Sequence, residues 1–301
     1  MPRPSACLLA ALLAVPAVAQ ETPTPPPQPS SKPAPQDEVE PAQNGWPAQT
    51  WLMPEVEVVG EPTSDLREEQ RIGSYAQPRW TATRRFTTTR IYVIPEGTVE
   101  VEYWMRIDEP RHGDEAKVSN MYEIEFGLPY RFQFDFYIDS IHEGEWDFFD
   151  ETERKYEVRW AVADWGRIWG NPTLYWEVVD RQRGADKWEG KLLFGDELAE
   201  GWHWGSNLVW EQETGGEEER ELEFTGAISQ TLVDERFSLG AEFKTSQITN
   251  NEEAAHRHEY FLGPSAQYKP VPRMHMDLAP LVGFGPDSDS YQIFFIMGWE
   301  F

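Results

Sequence analysis

Long apolar runs are what this sequence most plainly lacks. The longest, Cys7 to Ala19, holds 13 residues, short of the roughly 18 to 20 a membrane-spanning helix needs. Mean hydropathy is −0.62, too polar for a bundle of such helices. Positive charge is also scarce: 26 Lys and Arg stand against 53 Asp and Glu, a net charge of −27. That balance argues against nucleic acid, because phosphates are bound by clustered bases, and against an electrostatic hold on anionic lipid. Cysteine occurs once, as Cys7, so a disulfide-stapled domain is excluded. Aromatic residues are the exception to this poverty. With 14 Trp and an aromatic share of 14%, the chain is far too rich in rings for a disordered acidic polymer.

The first 19 residues read as an export signal: a basic start at Arg3, the apolar stretch, then Ala17-Val18-Ala19 as a small-x-small cleavage site. Cleavage there removes Cys7 and rules out a thiolate ligand or nucleophile in the mature chain. Residues 20–47 form a spacer. Nine prolines fall between Pro23 and Pro47; proline fixes φ and removes a donor, so the segment favours extended geometry and builds no core. Fully extended, its reach is on the order of 85 Å, enough to lie along peptidoglycan. Residues 48–97 read as a partly ordered lead-in that packs below or inside the C-terminal part of the chain, in the manner of a plug. Arg79, Arg84, Arg85 and Arg90 form the one basic cluster of the chain there.

From Thr98 onward the apolar period is two. Val99, Val101, Tyr103, Met105 and Ile107 alternate with Glu100, Glu102 and Arg106. Phe132, Phe134, Phe136 and Ile138 alternate with Arg131, Gln133 and Asp135. Ten further segments share the pattern, the last being Tyr291, Ile293, Phe295, Met297, Trp299 and Phe301. A strand puts such residues on one face, whereas a helix would scatter them. The connections alternate as well, longer and more polar ones such as residues 140–154 and 246–257 with mostly shorter ones such as residues 233–235. In hydrocarbon every backbone N–H and C=O must be paired, so strands cross a bilayer only as a closed sheet. An all-β, antiparallel up-and-down transmembrane barrel of twelve strands is therefore expected over residues 98–301. Its place is the bacterial outer membrane, and its partners are outer-membrane lipid and the barrel assembly machinery. Trp299 and Phe301, ending an alternating aromatic strand, resemble the C-terminal signal which that machinery reads.

Function has to be sought on the inward face. The expected lumen-lining residues are Glu102, Arg106, Glu123, Glu125, Arg131, Asp135, Glu157, Arg159, Lys187, Glu189, Lys191, Arg236, Glu242 and Lys244. Opposite charges two residues apart share a face and can pair across strands. They make either a salt-bridge lattice that fills the lumen or a polar conduit selecting by charge. Six carboxylates between Glu143 and Glu153 and seven between Glu211 and Glu223 read as solvated loop acids. No cofactor and no metal-ligand set is recognised: His256 and His258 share a face but lack further ligands. Ser140 and His142 are placed on a loop, without an orienting residue or oxyanion donor, and the chain does not read as an enzyme.

Residues 263–270, the run Arg273-Met274-His275-Met276-Asp277-Leu278-Ala279-Pro280 and the closing Gly298-Trp299-Glu300-Phe301 resemble the last hairpin of a bacterial barrel family. That family is labelled after the meta-pathway of phenol degradation. The resemblance implies an outer-membrane transporter of small or hydrophobic molecules, with no catalytic residues. The main alternative is a structural anchor whose filled barrel holds the Pro-rich tail against the cell wall; a barrel lipid hydrolase is more remote.

Overall fold

The computed structural model describes residues 66–112, 115–143, 151–215, 219–250 and 255–301. The expected signal peptide, the spacer and the start of the lead-in lie outside them. A short ribbon comes first, β1 (Arg71–Ile72) with β2 (Gln77–Pro78), flanked by 3-10 turns at Arg67–Glu69 and Arg79–Thr81.

Twelve long strands succeed it. They are β3 (Val99–Glu109), β4 (Lys117–Leu128), β5 (Phe132–Glu143), β6 (Glu151–Ala161), β7 (Thr173–Arg181) and β8 (Lys187–Ala199). Then come β9 (Trp202–Glu213), β10 (Arg220–Val233), β11 (Phe237–Asn250), β12 (Ala255–Val271), β13 (Met274–Phe284) and β14 (Tyr291–Glu300). Each pairs antiparallel with its sequence neighbours, and β14 closes on β3 from Tyr291↔Glu109 to Glu300↔Glu100. No sheet edge remains in the closed barrel, which is what a strand-built membrane span requires.

Alternation sets the two faces. Along β4, Tyr122, Ile124, Phe126 and Leu128 point outward and are exposed, while Glu123 and Glu125 point inward and are buried. Leu174, Trp176 and Val178 repeat the pattern on β7 against buried Tyr175, Glu177 and Val179. On the outer face Trp188 stacks on Trp176 at 4.7 Å and meets Trp210 edge-on at 4.0 Å. An apolar exterior of this kind round a closed sheet is the surface of a membrane-spanning barrel. The lining is not polar throughout: Phe261, Ala279, Leu281 and Phe294 pack together on the inward face of β12 to β14.

The connections differ at the two rims. One rim carries residues 129–131, 162–172, 200–201, 234–236 and 272–273; the other carries longer loops, such as residues 182–186 and 285–290. These are termed the turn rim and the loop rim. Residues 162–172 break the pattern of short turns. They are long because Trp165 folds back onto the lead-in, edge-on to both Trp80 and Tyr92 at 5.6 and 5.2 Å.

Residues 82–98 run inside the barrel. Their hydrogen bonds reach inward-facing groups on β3, β4, β5, β9, β10, β11 and β12, including Glu102, Glu125, Gln133, Asn207, Thr225, Glu242 and Gln267. Only a segment enclosed by the wall can touch so many strands at once. The wall is shaped for it. A side chain at Gly127 would overlap the Pro95 carbonyl, and one at Gly195 would overlap Ile91.

Candidate functional site

The inner segment divides the lumen into a packed half toward the turn rim and a cavity toward the loop rim. Its arginines hold it in place. Arg84 lies 3.2 Å from Glu102 and its guanidinium sits 3.8 Å over the Trp104 ring. Arg90 reaches both Glu123 and Glu125 at 2.7 Å. Arg85 donates to Ser229 at 3.0 Å, to Thr231 at 2.6 Å and to His203 Nδ1 at 2.9 Å. Glu242 accepts the backbone N–H groups of Thr87 and Thr88 at 2.9 and 2.7 Å, together with both hydroxyls. A carboxylate with four donors is held firmly even when buried.

Tyr92 closes the packed half, donating its hydroxyl to Ala163 O at 2.7 Å. Burial, then the nearby Asp164 carboxylate, push its pKa up, so it stays a donor at any ordinary pH.

Above the segment lies a cavity of about 380 Å³, floored by Arg84, Thr87, Thr88 and Arg90. Its walls carry both signs of charge, paired across neighbouring strands in Lys187 with Glu211 at 2.6 Å and Lys244 with Glu223 at 2.8 Å, and along β8 in Lys191 with Glu189 at 2.6 Å. Arg181 bridges Glu153 and Glu213 at 2.8 and 3.0 Å. Such a vestibule can hold water and small charged or dipolar solutes, with pairs able to exchange partners.

The expected lining residues fall into three groups. Glu102, Glu123, Glu125, Asp135, Glu157, Arg159 and Glu242 are fully buried in the wall beside or just above the inner segment; Arg159 pairs with Asp135 at 2.9 Å and with Glu157. Arg106, Lys187, Glu189, Lys191 and Lys244 line the vestibule. Arg131 and Arg236 are corrections, because neither stands on a strand. Arg131 ends the 3-10 turn Pro129–Arg131 with φ of 67° and binds Ala161 O and Asp164. Arg236 sits in the exposed turn before β11. Trp299 is exposed on the last strand and Phe301 just beyond its end, where the Phe301 N–H bonds Val99 O at 2.9 Å across the closure seam.

Reading the sequence missed how the arginines near residue 85 bear on the site. Their signal was present: a basic cluster in a strongly acidic chain, facing a barrel whose inward glutamates exceed its inward bases. Ser140 and His142 lie on β5 rather than in a loop, with Oγ 3.2 Å from Nε2. His256 and His258 are exposed on β12, and no carboxylate cluster of metal-binding geometry includes them among the described residues.

No family model matches this chain, and no curated protein does. Among solved structures it is similar to an outer-membrane channel from Pseudomonas putida F1, with 9% identity over 72% of this chain and 100% of that one, TM-score 0.47. It is also similar to the KdgM porin, 8% identical over 67% of this chain and 98% of that one, TM-score 0.45. The NanC porin is 9% identical over 66% and 97%, TM-score 0.46.

Proposed function

We propose that this chain is an outer-membrane channel for small polar or charged solutes, closed at rest by residues 82–98. The observation that carries this reading is the chemistry of the contact between segment and wall. Among the groups of the lining that the segment covers, the wall still presents charge at Glu102, Glu123, Glu125 and Glu242. A permanently filled lumen has no need of it, since apolar side chains of similar volume commonly stabilise as well or better than buried ion pairs. Charges that would line an aqueous path are instead satisfied by Arg84 and Arg90 while the path is shut. The resemblance of the last hairpin to the barrel family named after phenol degradation agrees with passage of small molecules.

A second reading, the structural anchor, is favoured by the fit of Ile91 and Pro95 against Gly195 and Gly127. One experiment separates the two. Thr89 Oγ1 donates to Thr225 Oγ1 at 3.0 Å, near enough for a disulfide between cysteines at these positions after a small shift. Solute flux into proteoliposomes is measured for the parent and for the double variant Thr89→Cys, Thr225→Cys, each lacking the signal region and its Cys7. Flux through the parent and the reduced variant, abolished by oxidation, is expected of a channel gated by this segment. No flux through any form supports the anchor, and equal flux before and after oxidation places the path elsewhere.

A further inference from the structure

His275 is fully buried on β13, and every group that meets its ring nitrogens is a carboxylate. Nδ1 bonds Asp277, while Nε2 lies 2.9 Å from Glu100 Oε1 and 3.3 Å from Glu102 Oε1. All four side chains are at most 2% exposed. The second oxygen of Glu100 has neither solvent nor a hydrogen-bond partner. Two guanidinia reach the group through Glu102, Arg84 at 3.2 Å and Arg90 at 3.7 Å; the field of Lys269 reaches Glu100 and Asp277 without an ion pair to either.

The other buried histidine of the lumen, His203, makes a useful contrast. Its Nδ1 accepts from the Arg85 guanidinium at 2.9 Å, so Nε2 must carry the proton, which it donates to Glu69 at 3.0 Å. That ring is neutral and complete, although Glu68 and Glu69 stand beside it. At His275 no donor faces either nitrogen. With Nδ1–H given to Asp277, Nε2 faces two carboxylates, so it carries either a second proton or a metal ion.

We propose that Glu100, Glu102 and His275 form a site for a divalent first-row cation of the zinc or manganese type. His275 supplies Nε2, Glu100 and Glu102 supply carboxylate oxygens, and Asp277 holds the ring by its other nitrogen. A carboxylate behind the far nitrogen of a ligating histidine is the usual support for such a ligand. Ligand atoms round an ion with bonds of about 2.0 to 2.2 Å stand roughly 3.3 Å apart. The observed 2.9 and 3.3 Å need only a slight opening. The orphaned Glu100 oxygen then gains a partner, as a second bond or through a bound water.

The register gives the site its meaning. His275 pairs with Gly298, and Gly298 with Glu102, so the three form one row across β13, β14 and β3. The ring reaches across only because Gly298 has no side chain: a Cβ there would overlap Nε2. An ion in this position ties β13 to β3 over the strand that closes the barrel.

The test uses the full chain refolded with Zn²⁺, dialysed, and assayed for bound metal by mass spectrometry. About one zinc per chain is expected in the parent and in His203→Gln, and none in His275→Gln or in the milder Glu100→Gln. Heat-modifiable migration on gels confirms that each variant has folded, and Co²⁺ replacing Zn²⁺ should give a visible absorption band that vanishes in Glu100→Gln. No zinc in the folded parent, or zinc retained by folded His275→Gln and Glu100→Gln, would overturn the proposal and leave a proton as the cation.

Discussion

At the scale of single residues, Arg90 has the most at stake. It alone bonds both Glu123 and Glu125, which are wholly buried. Without it Glu125 keeps only the Gln133 amide and Glu123 keeps the Trp104 N–H and two more distant guanidinia; breaking a buried pair in this way costs about 3 to 5 kcal/mol. Arg90→Gln should therefore free the inner segment while the wall stands: a larger and noisier single-channel current, with heat-modifiable migration retained. Gly195→Val tests the same contact from the other side, since its side chain would meet Ile91. It should raise the leak as Arg90→Gln does, and an unchanged current in both variants would count against the segment as the closure. Gly298→Ala acts differently, pushing His275 out of its row, and should lower resistance to denaturant by about 1 to 3 kcal/mol. Charges on the wall were largely legible because parity alone places them: Glu102, Glu123 and Glu157 could be read inward from their apolar neighbours. Parity fails outside a strand, and Arg131 and Arg236 each stand one residue before theirs begins, at Phe132 and Phe237. It is silent on long-range partners, and so gave no hint that Glu100 and His275 meet from opposite ends of the strand order.

At the scale of elements, alternation located every strand of the barrel, because a half-lipid, half-lumen strand has no other way to satisfy its two surroundings. The ends were harder. β5 runs on through Ser140 to Glu143, beyond the alternating run that ends at Ile138, since pairing with β4 continues to Glu143 where the pattern has faded. The inner segment offered no period, having neither helix nor long strand, and its path is set by side-chain partners scattered over seven strands. Orientation is open to test at this scale. With the turn rim toward the periplasm, protease added to intact cells should cut at the connection between Gly215 and Glu219 and spare the turn at Asp234, as mapped by mass spectrometry. Cleavage at Asp234 alone would invert the assignment.

For the whole molecule, the surplus of acid takes on a physical sense. Inward glutamates face the arginines of the inner segment, so the two parts of the chain neutralise each other where water is absent. The vestibule keeps pairs of both signs, and exposed ion pairs weaken as salt rises whereas buried ones do so much less. Raising ionic strength should then alter ion selectivity, measured by reversal potential, more than the frequency of opening. A strong rise in opening with salt would mean that the segment is held by groups in contact with solvent rather than by the buried network.

The inner segment also begins and ends at one rim. Just ahead of it Arg79 lies 3.2 Å from Glu235 in the turn between β10 and β11, and Thr98 leads straight into β3 at the same edge. It is a hook and not a thread. A chain passed from end to end through a cylinder could leave only by being drawn out along its whole length or by breaking the wall, but a hook backs out the way it came. Its withdrawal would leave the hydrogen bonds that join the twelve staves to one another in place.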